Sequence, residues 1–381
     1  MTTHAWLWRL GILLFPIMLV GLSCNEAKDG GVYRSIDGGQ SWEQKTFMSQ
    51  QGKNIVSISD VEVLTLVAHP TDSNRVYLGS KGLGMYVTYN NGEQWNYTPI
   101  KQGNILAIGI DSINPANMFV AQDNVVLRST DAGETWQQSY VEVNKKLVYS
   151  VLVDSYDNSR IYAATSGGEI LKSVDYGITW DIHYNGRSSI TKLLMSKQDT
   201  RIIYVLDSKG ELVQTTNGGE FDSALIDSAD YINSGWHKLL DEKYEDMFSH
   251  NAMNAANITL DPQDNSIVYI STKRGLMKGE NNGQNWSDVI NIFGVNDKNN
   301  SNIKNLTIAA DANHTIYYTL NKVIYKSSDQ GNNWQTLETF PSARILSALI
   351  IDQTNANIVY IGTRQPKDEG GGIFKVKKNT N

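Results

Sequence analysis

Ser129-Thr130-Asp131-Ala132-Gly133-Glu134-Thr135-Trp136 is one copy of an eight-residue phrase, Ser/Thr-x-Asp/Asn-x-Gly-x-x-Trp, that recurs along the chain. Ser173 to Trp180 repeats it as faithfully, and Ser35 to Trp42, Thr88 to Trp95, Gly279 to Trp286 and Ser327 to Trp334 are further copies. A seventh begins at Thr215-Thr216-Asn217-Gly218-Gly219 without its tryptophan on schedule, and Trp236 follows after an apparent insertion. Six of the seven tryptophans beyond residue 24 close a copy of the phrase. Scattered core tryptophans would keep no such register. Repetition of this kind marks an array of equivalent supersecondary units.

A second signature precedes each later copy. Short β-branched and aromatic runs stand at Arg75-Val76-Tyr77-Leu78, Asn117-Met118-Phe119-Val120, Arg160-Ile161-Tyr162-Ala163 and Ile202-Ile203-Tyr204-Val205. They return at Ile267-Val268-Tyr269-Ile270, Thr315-Ile316-Tyr317-Tyr318 and Ile358-Val359-Tyr360-Ile361. Another apolar stretch lies ahead of each, across a turn such as His69-Pro70-Thr71-Asp72-Ser73-Asn74. These are strand and turn signals at short spacing. Each unit therefore reads as four short strands over about fifty residues, the size of one propeller blade. The expected fold is all-β, a seven-bladed β-propeller of four-stranded blades.

The phrase fits a tight hairpin between third and fourth strands. The Asp or Asn side chain accepts bonds from backbone amides a few residues on. The Gly two positions later supplies a positive φ, and the Trp buries its ring between neighbouring sheets. This gives structural roles to Asp37, Trp42, Asn90, Trp95, Asp131, Trp136, Asp175, Trp180, Asn217, Trp236, Asn281, Trp286, Asp329 and Trp334. A catalytic or metal-binding role fits poorly, because the copies with Asn90, Asn217 and Asn281 lack the acid. Arg34, Arg128, Lys172, Lys278, Lys326 and Lys375 stand in or beside third strands, where alternation turns them outward onto a solvated face.

The last unit has three strands and no phrase, while the first phrase has no two strands ahead of it. Gly371-Gly372-Ile373-Phe374-Lys375-Val376 also matches Gly30-Gly31-Val32-Tyr33-Arg34-Ser35. Strands from both termini are thus expected to share one blade and close the ring, hiding its open edges. Both ends offer a third strand, so the sequence leaves open which end supplies which.

Arg9 precedes an apolar run, Leu10 to Leu22, that leads to Ser23 and Cys24, the single cysteine. Thirteen residues are too few for a membrane-spanning helix of roughly 20 and suit a signal-peptide core. Cleavage before Cys24 would leave 358 residues, one base fewer than the whole chain and so with net charge −8 instead of −7. An acidic balance argues against nucleic acid, which needs a clustered basic face. The domain reading is a signal peptide over residues 1–23, a tether over 24–29 and one propeller over 30–381, with an insertion at about 220–256. Within that insertion Trp236 reads as the displaced box tryptophan and the rest as a decorated loop; the alternative places Leu239, Leu240, Tyr244, Met247 and Phe248 on one face of a short helix, in a loop suited to protein contact.

Gly21-Leu22-Ser23-Cys24 resembles a bacterial lipobox, which implies acylation of Cys24 and anchoring without a transmembrane span. Asn25 after the cysteine implies, by the same analogy, the outer membrane or cell surface. The repeated phrase resembles the Asp-box, or BNR, repeat. Gly31-Val32-Tyr33-Arg34-Ser35-Ile36-Asp37-Gly38-Gly39 looks closest to relatives of the photosystem II stability and assembly factor and to sortilin-like propellers. The resemblance spans residues 30 to 378 and is specific for architecture rather than activity. Sialidases share the box but carry a Phe/Tyr-Arg-Ile-Pro motif absent here. Xyloglucan-cleaving relatives use two such propellers, and sortilin receptors have ten blades. The assembly-factor relatives are non-enzymatic and bind a membrane-protein partner. The photosynthetic members' basic patch is not evident in this acidic chain, so that role is not carried over.

No catalytic constellation stands out. The histidines at 69, 183, 237, 250 and 314 lack metal-ligand spacing, and Asp241-Glu242 reads as surface charge. No cofactor is expected. The sequence thus points to an exported, envelope-anchored, non-enzymatic propeller that binds an unidentified protein partner. A glycan-binding or glycoside-hydrolase-like propeller is the alternative.

Overall fold

In the computed structural model the residues described are 28–220, 235–240, 255–272, 275–291, 303–320, 322–337, 340–352 and 354–366. They form seven four-stranded antiparallel sheets, with one extra hairpin of Phe47–Gln51 and Asn54–Ser57. No helix occurs among the described residues. Blade 1 shows the pattern: Val63–Ala68 innermost, then Val76–Ser80, Met85–Thr88 and Trp95–Tyr97 at the rim. Blades 2 to 6 begin at Ile105, Val148, Ile190, Ala255 and Ile303. The first strands neighbour one another in cyclic order, and Ile345–Ile351 of blade 7 lies against Val63–Ala68 of blade 1. The ring is a seven-bladed propeller.

Closure answers the question the sequence left open. In blade 7 the two inner strands, Ile345–Ile351 and Val359–Arg364, come from the C-terminal part of the chain. The third and fourth strands are Val32–Ser35 and Glu43–Gln44. Val32 lies opposite Gly362 and Ser35 opposite Val359. The competing segment, Gly371 to Val376, lies outside the described residues.

Second strands such as Val76–Ser80, Ile161–Thr165 and Val268–Thr272 are buried at every residue, because sheets pack on both their faces. That explains why they read as continuous apolar runs. The core is divided into seven clusters, one per interface between blades. At each interface the earlier blade contributes its second-strand aromatic: Tyr77, Phe119, Tyr162, Tyr204, Tyr269, Tyr317 or Tyr360. The later blade contributes its box tryptophan: Trp136, Trp180, Trp236, Trp286, Trp334, Trp42 or Trp95. The seven indoles occupy equivalent places between sheets.

Two expectations need correction. The insertion at 220–256 is not one continuous excursion. Gly235 to Leu240 return to blade 4 in its middle, with His237–Lys238 as the fourth strand paired to Val213 and Gln214. Leu239 is buried between blades 4 and 5 with Leu240 packed beside it, which removes both from the proposed helical face. Tyr244, Met247 and Phe248 lie outside the described residues. Three of the basic third-strand residues, Arg34, Lys172 and Lys326, also do not stand on a solvated face. Arg34 donates to Asn91 O at 2.6 Å and to Glu93 at 2.7 Å, and Lys172 pairs with Glu220 at 2.6 Å. Lys326 Nζ lies 3.4 Å from Gly38 O. Each of these reaches the box of the following blade, a contact that alternation within one sheet cannot reveal.

Candidate functional site

The box residues are distributed around the ring and do not converge on one site. In blade 2, Ser129 Oγ accepts from Gly133 N at 2.8 Å and donates to Asp131 Oδ1 at 2.7 Å. Asp131 in turn accepts from Thr135 N at 2.9 Å and from Thr135 Oγ1 at 2.5 Å. The same pattern ties Ser35 to Asp37, Ser173 to Asp175 and Ser327 to Asp329. Thr88 and Thr215 donate in the same way to the amide oxygens of Asn90 and Asn217. An amide oxygen suffices for the turn, so a carboxylate charge is not what the repeat requires. The exception is the blade 5 copy, which has Gly279 in place of the hydroxyl. There Asn281, Asn282 and Gly283 all adopt positive φ, and the Trp286 ring lies where a Cβ on residue 279 would stand.

A feature of the box that sequence reading missed is its fourth position. Gly38, Asn91, Ala132, Tyr176, Gly218, Asn282 and Gln330 all have positive φ, as does the glycine that follows each. Two consecutive left-handed residues turn the chain as in a primed hairpin. In six copies the fourth-position amide donates to a carbonyl in the turn between first and second strands of the same blade, for example Ala132 N to Ala116 O at 2.9 Å. Both turns therefore lie on one face of the ring. The opposite face carries the turns between second and third strands and the connections between blades.

That geometry locates the start of the described chain. Val32–Ser35 runs toward its box, so Lys28 to Gly31 enter on the opposite face. The Asp29 carboxylate accepts from Ala343 N at 2.9 Å, Ser342 Oγ at 3.1 Å and Arg344 Nε at 3.1 Å. Tyr33 Oη donates to Asp29 O at 2.8 Å. Cys24 lies outside the described residues. Four residues lie between it and this fixed point, so the five chain steps reach at most about 18 Å.

Around the central axis, polar side chains link first strands across blades. Lys192 Nζ donates to Asn257 Oδ1 and Ile258 O, both at 2.7 Å. Asn257 donates to Lys304 O at 2.7 Å, Asn305 to Leu346 O at 2.9 Å, and Ser347 to Val63 O at 2.6 Å. Ser150 Oγ accepts from Leu193 N at 3.3 Å. Five consecutive interfaces are joined in this way. Burial lowers the Lys192 pKa to about 8. The sequence signal was present, a polar residue early in otherwise apolar first strands, but its meaning required the neighbouring blade.

Carboxyl chemistry follows from the same hydrogen bonds. The hydroxyl and amide of Thr135 hold the pKa of Asp131 down to about 2, and those of Thr179 do so for Asp175. At Asp37 burial pushes upward, yet bonds from Ser41 and Ser35 bring it to about 2. Glu93 is lowered by Lys45 and Arg34, and Glu220 by Lys172. At Glu169 burial raises the pKa, but hydrogen bonds from Lys146 and Thr165 leave it lowered. Every carboxyl shift resolved among the described residues is downward, opposite to what a general acid needs near neutral pH. No group of three or more His, Cys, Asp or Glu among them could hold a metal ion. No described helix is long and apolar enough to cross a membrane.

Residues 124–276 match the Sortilin-Vps10 family model, described as sortilin, neurotensin receptor 3. The match covers less than half of the chain. What the structure establishes is the architecture, a seven-bladed β-propeller whose blades carry repeats similar to the BNR and sortilin-like type. Among solved structures the propeller is similar to the GH74 xyloglucanase of Xanthomonas campestris, with TM-score 0.64 and 13% identity over 84% of this chain and 52% of that one. It is also similar to YCF48 bound to D1 peptide, with TM-score 0.56 and 12% identity over 80% of this chain and 94% of that one. In sequence, it is 26% identical over 137 residues to a xyloglucanase of Hypocrea jecorina, covering 35% of this chain and 16% of the enzyme. The propeller thus spans about half of the xyloglucanase structure and a small part of the curated enzyme. At these identities the structural likeness establishes the fold alone.

Proposed function

We propose that this propeller is a non-enzymatic scaffold or assembly factor, exported and lipid-anchored through Cys24, that holds a protein partner at the outer membrane or cell surface. One observation carries the reading: the chain corresponds to nearly the whole of the structure of YCF48 bound to D1 peptide, but to only about half of the GH74 enzyme. The downward carboxyl shifts support it, since they leave the box acids ionised and occupied in holding turns. Pinning of the tether at Asp29 is consistent with an anchor that keeps the ring close to a membrane surface. Neither cofactor nor metal enters this reading.

The alternative, a glycan-binding or glycoside-hydrolase-like propeller, draws on the sequence matches to xyloglucanases. Affinity purification of the tagged protein from membranes, with a Cys24→Ala variant in parallel, separates the two. The scaffold reading expects a stoichiometric protein partner and a shift of the variant to the soluble fraction. Hydrolysis of xyloglucan by the purified propeller, with no protein partner recovered, would reverse the assignment.

A further inference from the structure

We propose that the box face of blades 2 and 3 is the docking surface for the partner, and that it receives an apolar protein segment flanked by basic residues. This rests on the scaffold reading and supplies the chemistry of its partner. In six of the seven boxes the sixth position is Gln40, Glu93, Glu134, Glu220, Gln284 or Asn332. Blade 3 alone places an aliphatic residue there, Ile178, and its second and fourth positions are Val174 and Tyr176. All three are exposed, at 69%, 62% and 44%. The adjoining turn between first and second strands carries Tyr156, 84% exposed, where blades 1, 4, 5 and 7 have Thr71, Gln198, Gln263 and Thr354. The corresponding residue of blade 2 is Ile113, 56% exposed.

The backbone makes these residues one surface. Tyr176 N donates to Ser159 O at 2.9 Å, joining box to turn, and Asn158 Nδ2 donates to Asp111 Oδ2 at 2.7 Å, joining blade 3 to blade 2. With roughly 200 Å² for each aromatic side chain, the two tyrosines alone expose about 250 Å², and the three aliphatics bring the patch to a size that marks interaction sites. Tyr176 also has φ +61°, a conformation costly for an aromatic residue and free at the glycines that replace it in blades 4 and 7. The platform is rigid: Ser139 Oγ of blade 2 donates to Gly177 O at 2.5 Å, and Trp180 Nε1 donates to the same hydroxyl at 3.1 Å. A preformed surface loses little entropy on binding.

Charge selects the occupant. Asp131 and Asp175 accept only from hydroxyls and amides among the described residues, so each keeps its full negative charge beside the patch. Glu134 of the blade 2 box is exposed as well. Three β-branched aliphatics with two tyrosines suit a protein segment better than a sugar, which needs hydrogen-bonding groups around its aromatic platform.

The test titrates the full protein with two short synthetic peptides of one Leu/Trp pattern, one flanked by Arg and Lys and the other by Asp and Glu. The basic peptide should bind at least tenfold more tightly, weaken with salt, and lose tenfold or more in Y156S and I178S, whose exposed side chains are not needed for folding. Equal binding of both peptides, or a dimer of the protein that I178S abolishes, would overturn the assignment. Binding that survives both variants but is lost in L83S and V143S, on the opposite face, would remove this surface while leaving the scaffold reading. Xyloglucan hydrolysis with neither peptide bound would remove both.

Discussion

At the scale of the residue, the turns are governed by backbone angles more than by side-chain chemistry. Ala132 and Gly133 are adjacent and both have positive φ, yet replacing one by the other's residue type should have opposite effects. A132G removes the left-handed cost of a Cβ and should stabilise the fold by roughly 0.5 kcal/mol after the entropic cost of glycine. G133A should destabilise it, since its φ is +90° and a Cβ would lie 3.3 Å from the Trp136 ring. Equilibrium denaturation of the two variants checks the signs. Box aspartates and glycines were legible in the sequence because their residue types are nearly fixed. The fourth position was not, because Gly38, Asn91, Ala132, Tyr176 and Gln330 share an angle and no chemistry. Lys192 makes a second prediction. Its folded pKa of about 8 lies below the unfolded value of about 10.4, so its contribution is full above the unfolded value and is lost as pH falls toward 8. The melting temperature of the wild type should therefore rise relative to that of K192M between pH 8 and 10, and parallel curves would contradict this.

At the scale of the element, each blade is an incomplete object whose missing face is its neighbour. Second strands were legible from their apolar runs. The fourth strands Glu43–Gln44, His237–Lys238 and Gln335–Thr336 are two residues long and polar, and only the tryptophans preceding them betrayed their positions. The inter-blade roles of Arg34, Lys172 and Lys326 were hidden because they depend on contacts more than forty residues away. Similarly, Val174, Tyr176 and Ile178 are plain in the sequence, but their exposure follows only from knowing how the box hairpin faces. The box hairpins also set an acid limit. Asp131 and Asp175, near pKa 2 when folded and about 3.9 when unfolded, contribute stability fully above pH 4, lost as pH falls through 2. The double variant D131N/D175N keeps an oxygen acceptor in each turn. It should show a shallower loss of stability between pH 4 and 2 than the wild type in acid unfolding, and an identical slope would contradict the assignment.

At the scale of the whole molecule, seven interfaces are equivalent in their aromatic pairs, and the ring closes only because two stretches far apart in sequence share blade 7. Tyr317 Oη donates to Gly38 O at 3.2 Å, and Tyr360 Oη bonds Asn91 Oδ1 at 3.2 Å, so the shared blade is tied to the blade on each side by a tyrosine hydroxyl as well as by its aromatic pairs. Deleting residues 28–44 would expose the edge of Val359–Arg364 and should produce concentration-dependent aggregates on size-exclusion chromatography that the full chain does not form; a truncated protein that elutes like the full chain would count against the closure described. The repeat count and the sharing of a blade by both ends were legible in the sequence; the choice of end was not, since two segments matched the same strand. Hydrogen–deuterium exchange on the full chain decides it most directly. The amides of Val32–Ser35 and Val359–Arg364 should be protected to a similar degree as one cooperative unit. Rapid exchange across Val32–Ser35 with protection retained in Val359–Arg364, and protection appearing instead in residues 371–376, would contradict the account.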